Sequence, residues 1–246
     1  MNLDVHGARI FIGDVDHPIL TETIVNMWIV MAVIALFCFW LTRGLKVHGG
    51  GKRQMAAEWL VTRCTNLVRQ NMGEKFMHMT PFIGALLSLS CFCSLSSLFT
   101  LYAPTSDLSV LLGWAMLVFV LITYNKIKAG GILGYIKGFF DPIFVMFPFN
   151  VISEVATPFS MAFRHFGNIA SGSVITGLIY AALSVFSAKV LGAIPGAVGG
   201  LLSQIPILQV GIPAVLSIYF DLFSSALQAF IFCMLTMMYI GSAAEG

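Results

Sequence analysis

Polar residues in this chain are gathered into short stretches that separate long apolar runs. The first run, Ile24 to Leu41, is 18 residues, close to the roughly 20 that carry a helix across a hydrocarbon core of about 30 Å. From Phe76 to Ser106 only His78 titrates near neutrality, and the stretch is long enough to span with tilt. Pro104, Thr105, Ser106 and Asp107 make a short turn, and Leu108 to Asn125 leads back, so residues 76–125 predict a tight helical hairpin. Asn150 to Ala188 contains one proline, Pro158. Unbroken, it would form a helix about 60 Å long, which must tilt strongly or bend. Pro195, Pro206 and Pro213 punctuate the next connection, and a last helix is predicted from Ala214 to Ile240, so residues 150–240 read as a second hairpin.

The segment after the first run is different in kind. Arg43, Lys46, Lys52, Arg53, Arg63, Arg69 and Lys75 form the densest positive region of the chain. Ala56, Ala57, Leu60, Val61, Leu67 and Val68 supply an apolar stripe there, so Gln54 to Met72 predicts an amphipathic helix lying on the membrane interface. The positive-inside rule puts this segment, and Lys126, Lys128 and Lys137, in the cytoplasm. Residues 1–23, with Asp4, Asp14 and Asp16, then lie outside and lack the layout of a cleaved signal. The C-terminus falls on the cytoplasmic side. Gly130, Gly131, Gly134 and Gly138 are expected to loosen the connection before Asp141, Pro142 and Pro148 break it. The expected fold is all-α and polytopic, one membrane domain of about five membrane helices with a strongly tilted C-terminal hairpin and one interfacial helix.

Composition agrees: 58% of the 246 residues are hydrophobic and 10% charged, against about 25% charged in soluble domains. A net charge of +2 without basic runs interleaved with aromatics excludes nucleic acid as the partner. Cys38, Cys64, Cys91, Cys93 and Cys233 lack metal-ligand spacing and read as packing residues, so no metal is expected. No cofactor is expected either, and no phosphate-binding loop is present, so nucleotide chemistry is not expected on this chain.

Arg164 stands out. Between Glu154 and Lys189 its only titratable companion near neutrality is His165, and an arginine at the bilayer centre costs roughly 3 kcal/mol on insertion scales and more in simulation. Its charge is permanent. Ser160, Arg164 and Asn168 follow at i, i+4 and i+8 on one helical face, and Asp221 and Gln228 share a face of the last helix. Two polar faces on adjacent helices suggest a wet path; the alternative is a buried Arg164–Asp221 ion pair that only holds the hairpin together.

The run from Ile152 to Asn168, with its arginine followed by x-Phe-Gly-Asn, closely resembles the signature of subunit a of the F-type ATP synthase membrane sector. Leu227-Gln228-Ala229-Phe230 is similar to the family's C-terminal motif, and Pro104-Thr105-Ser106-Asp107-Leu108 fits the turn between its middle helices. The resemblance runs in order from about Pro81 to Tyr239.

That resemblance implies a non-catalytic stator subunit in a bacterial cell membrane, working with a rotor ring of c subunits, peripheral-stalk b subunits and other synthase subunits. Two half-channels would load and unload the ring carboxylates, with Arg164 separating them. Asn168 and Gln228 look like the family's polar companions, Ser160 like its hydroxyl one turn earlier, and Glu154 like an acidic position ten residues upstream. Many relatives carry glutamate where this chain has Ser173, and histidine or serine where it has Asp221, so the access carboxylate is read as having changed helices. Ser94 and Ser109 stand where relatives often show asparagine. His165 replaces a commoner apolar residue and, with Asp107, is a minor candidate for the ion path. The coupling ion is taken as a proton, with a sodium-translocating version as the alternative. A secondary transporter would predict an internal repeat, which is not found. An intramembrane hydrolase would need Ser171 or Ser173 to pair with His165.

Overall fold

The computed structural model describes residues 8–13, 18–46, 51–99, 101–140, 143–192 and 218–244. Five helical segments are long and apolar enough to cross a membrane. A short antiparallel ribbon, β1 (Ile10–Gly13) and β2 (Pro18–Thr21), precedes them. The first span is α1 (Glu22–Thr42), and α2 (Lys52–Met72) is the amphipathic helix, each reaching one or two residues beyond its expected bounds. A 3-10 turn at Glu74–Met79 leads into α3 (Thr80–Leu95), which a second such turn extends to Phe99.

After the Pro104–Ser106 turn, α4 (Leu108–Gly138) starts on a side-chain cap: the Asp107 carboxylate accepts the Ser109 N–H at 2.9 Å. The glycine run expected to loosen the chain is helical instead. Only Gly131 departs, at φ 70° and ψ 171°, and kinks α4 there. Glycine reaches that positive φ without the Cβ clash any other residue would meet. The break is thus confined to one residue.

α5 (Phe147–Gly192) is continuous over 46 residues with Pro158 inside it. That is about 69 Å of helix at the α-helical rise, far more than an upright span needs. The expected turn from Gly192 to Pro213 and the start of the last helix at Ala214 lie outside the described residues. The chain reappears as a π-helical segment, Ile218–Ser224, and continues as α6 (Ser225–Ala243).

The central hairpin differs from expectation. α3 and α4 scarcely touch, because α6 lies between them and packs on both, on α2 and on α5. The core is built around it: Phe232, Cys233, Met237 and Ile240 of α6 meet Val68 and Met72 of α2, Ile83 and Leu86 of α3, Val118 and Ile122 of α4, and Met161 of α5. Small residues allow this crowding. Ala229, Cys233 and Thr236 are fully buried, and a Cβ on Gly241 would sit 3.6 Å from the Asn71 carbonyl and 3.7 Å from the Met72 Cα. Lipid offers no hydrophobic drive between helices, so such close packing is what holds them together. All five cysteines are free thiols, Cys93 and Cys233 within the core. Burial of Cys64, on the face of α2 that meets α3, pushes its thiol pKa up.

Phe232 touches the rings of Trp114 and His165, with centroids at 6.5 and 5.8 Å. Phe232→Ala is expected to cost about 3 kcal/mol, as large-to-small core changes do, and to lower the thermal midpoint of the purified protein in detergent. The neighbouring Phe230 is exposed, and Phe230→Ala should leave that midpoint in place.

Candidate functional site

Arg164 lies 17 residues beyond the start of α5, about 26 Å along the axis, so it falls well inside the span rather than at an end. Its side chain is exposed on the uncovered flank of α5, and it makes no ion pair or hydrogen bond with any described residue. Phe159, Phe163 and Ser160 are exposed on the same helix around it. Among the described residues a permanent cation is thus left on an exposed, largely apolar flank of the helix.

One turn further along nearly the same face the helix is tied down by polar contacts. Asn168 turns toward α6 and pairs with Ser224 in both directions: Nδ2 donates to Ser224 Oγ at 2.9 Å, and Oγ donates to Asn168 Oδ1 at 3.0 Å. Gln228, one turn beyond Ser224, is buried on α6. Asn168 and Gln228 are thus brought to one helix-helix seam, with Arg164 on its open side. The backbone of Asp221 belongs to the π-helical segment, but its side chain is outside the described residues, and so is any pairing with Arg164.

His165 faces the opposite way from its neighbour. It is fully buried, its Nε2 is 3.3 Å from the Ser94 hydroxyl and its ring meets Phe232 edge-on. These contacts clamp α5 to α3 and α6, while the buried Nδ1 has no hydrogen-bond partner among the described residues. Asp107 spends its carboxylate capping α4. Ser173 is exposed, donates to the Ala170 carbonyl at 2.9 Å, and stands half a turn around α5 from Arg164.

Glu154 is where the structure adds most. Ten residues before Arg164, about 15 Å along the axis, its Oε2 receives the Lys126 ammonium at 2.6 Å. The other oxygen, Oε1, is buried and has no hydrogen-bond partner among the described residues. Two adjoining cavities, about 430 and 190 Å³, share Lys126, Glu154, Ser242 and Ala243 in their walls. Tyr135, Asn150 and Ser153 add polar surface to the larger one. It is built where the end of α4, the start of α5 and the end of α6 meet. Sequence reasoning took Lys126 only as a marker of the membrane side and did not single out Ser224. The available signal for Lys126 was a lone pair of opposite charges near matching ends of two consecutive spans.

A polytopic helical protein with a cation deep in one span, unpaired among the described residues, and a paired carboxylate lining a cavity nearer the end is built as a membrane ion-path protein. The model of the family ATP synthase A chain matches residues 24–241, and the chain belongs to that family. It is similar to ATP synthase subunit a of Desulforamulus reducens, 32% identical over 91% of this chain and 79% of the relative. It is also similar to ATP synthase subunit a of Bacillus subtilis, 29% identical over 96% of each chain, and to the subunit a of Propionigenium modestum described as sodium ion specific, 30% identical over 90% and 73%. It is thus the stator ion-channel subunit of the F-type synthase, non-catalytic, with the ATP chemistry on other subunits.

The cap and the ion path can be separated at Asp107. Asp107→Ala should cost about 1 kcal/mol through loss of the helix cap, while Asp107→Asn, which still accepts the Ser109 N–H, should unfold like the parent protein in thermal melts. Passive ion conduction in reconstituted vesicles should be the same for both.

Proposed function

We propose that this subunit couples transmembrane proton flow to rotation of a c-subunit ring, with Arg164 as the fixed charge that separates two half-channels. The observation that carries this reading is the exposed guanidinium deep in α5, which has no ion-pair partner among the described residues. A cation left facing hydrocarbon is costly, so the uncovered flank calls for a partner that brings an anion to it. A membrane-embedded carboxylate on a passing ring subunit supplies one. Arg164 attracts that carboxylate only in its ionised form and never donates a proton itself. The ion must therefore leave before the carboxylate passes, which blocks a direct leak. Each unit charge crossing 100 mV releases about 2.3 kcal/mol, the source of torque.

The cavity at Lys126 and Glu154 serves, in this reading, as the cytoplasmic half-channel, opening on the side of the basic segments. Its free carboxylate oxygen can receive a proton arriving through the polar wall. Lys126 holds the carboxylate in place and balances its charge. Asp221, Ser160 and Ser173 are assigned to the opposite half-channel and its approach to Arg164, with Asn168 and Gln228 keeping the α5–α6 seam polar. Peripheral-stalk b subunits hold the subunit still. The N-terminus lies outside a bacterial cell membrane, and the C-terminus in the cytoplasm. The similarity to the P. modestum subunit favours sodium as a second reading; ATP synthesis driven by a proton gradient in sodium-free buffer would decide for the proton.

Arg164→Ala is expected to abolish ion-coupled ATP synthesis while the complex still assembles. Arg164→Lys should also fail substantially, since lysine loses its charge more readily on burial. Normal coupled synthesis in the alanine variant would overturn the role.

Glu154→Gln should reduce passive proton conduction severalfold with assembly intact, because the amide keeps the shape but exchanges no proton. Lys126→Gln leaves Glu154 uncompensated and should move the pH dependence of conduction upward. Unchanged flux and pH profile in both variants would remove the cavity from the path. Asp221→Asn, measured alongside, should slow flux independently of both.

A further inference from the structure

At the corner between α1 and α2 the chain forms a further polar cavity of about 310 Å³, distant in sequence from the ion path and lined in part by Arg43, Lys52, Arg53 and Gln54. Three cationic residues line it, and among the described residues no carboxylate does. Among the described residues none of the three is in an ion pair.

The corner is held in shape. The Gln54 side chain accepts the Lys46 N–H at 2.9 Å, donates to the Lys46 carbonyl at 2.7 Å, and donates to Glu58 at 2.8 Å. One amide thus links Lys46 to the first turn of α2 and engages the Glu58 carboxylate. Arg53 lies over the Trp40 ring, 4.5 Å from its centroid, which draws the guanidinium against the last turn of α1. At the same place α2 begins at Gly51 without a side-chain cap or an acidic residue in its first turn, so its first N–H groups add to the positive field.

The membrane frame says what such a pocket meets. α1 is 21 residues long, about 31 Å, so its last turn reaches the interface where lipid phosphates lie. Phe37, Phe39, Trp40 and Leu45 are exposed beside the cavity and offer a surface to acyl chains. From this geometry we propose that Arg43, Lys52 and Arg53 form a binding site for the phosphate of an anionic phospholipid headgroup. The chemistry shared with free phosphate is the anionic, non-bridging phosphoryl oxygens. The apolar flank favours the lipid over a soluble anion or an acidic segment of a protein partner, since neither has acyl chains to lay on it.

The test uses the full-length subunit, purified and delipidated in a neutral detergent, titrated with phosphatidylglycerol or phosphatidylcholine and read by native mass spectrometry. The parent protein should prefer phosphatidylglycerol, and R43Q/K52Q/R53Q should lose on the order of a hundredfold of that preference, about fivefold for each cation removed. The single changes should each lose part of it, which guards against a folding defect in the triple variant. K128Q/K137Q, which removes two exposed lysines elsewhere, should keep it. Retention of the preference in the triple variant would overturn the proposal. So would competition by inorganic phosphate at lipid-like affinity, which would make the site one for free phosphate. Loss of co-purifying synthase subunits from the triple variant without a change in lipid preference would equally overturn it, by assigning the cluster to a protein partner.

Discussion

A guanidinium deep in a membrane span must be met by something, and the rest of this structure is arranged around that demand. Hydrocarbon cannot solvate the charge, and arginine cannot shed it by losing a proton. Within the described residues the chain leaves Arg164 unpaired on the flank of α5 while anchoring the same helix one turn further along, where Asn168 pairs with Ser224, and on its inner side, where His165 meets Ser94 of α3. The helix is braced beside the arginine while the arginine itself is left exposed. That asymmetry suits a fixed charge that faces a moving partner, because a mobile arginine would follow a passing carboxylate instead of releasing it.

The bracing depends on α6. In a bilayer, helices are held by close packing and by polar contacts, not by exclusion of water. α6 supplies both, with Ala229, Cys233 and Gly241 where neighbours approach and Gln228 and Ser225 buried at its polar start. α5 itself leans most on α4, with Ala162 against Leu111 and Ala115, and meets α6 on a smaller seam, while among the described residues the flank that carries Arg164 is left exposed. The same contacts fix the depth of Asn168 and Gln228 relative to Arg164.

The Lys126–Glu154 pair shows the other solution to charge in a membrane, mutual neutralisation at 2.6 Å. Pairing makes a carboxylate tolerable near the membrane end, and the cavity beside it keeps one oxygen reachable in chemical terms. Arg164 and Glu154 are on one helix, about 15 Å apart, yet turned to different sides of it. A proton handed from one region to the other must therefore cross by way of another group, which is what a ring carboxylate provides in the proposed mechanism.

The sequence by itself determined the five spans, the interfacial helix and the arginine, since each rests on local properties: length of apolar run, amphipathic stripe, a lone charge. Ser160, Arg164 and Asn168 were likewise legible from helical spacing. It misjudged the glycines after Asn125, because glycine tolerates helix when neighbouring residues favour it, and only Gly131 takes the conformation that breaks one. It also paired α3 with α4 because they are consecutive, whereas the last helix separates them. Only the tertiary structure decided that His165 is buried against Ser94 while Arg164 beside it is exposed, that Lys126 neutralises Glu154, and that Ser224 holds Asn168. These are contacts between helices distant along the chain, and their register is set by how small and large residues of α6 interlock with four neighbours, which no single helix encodes.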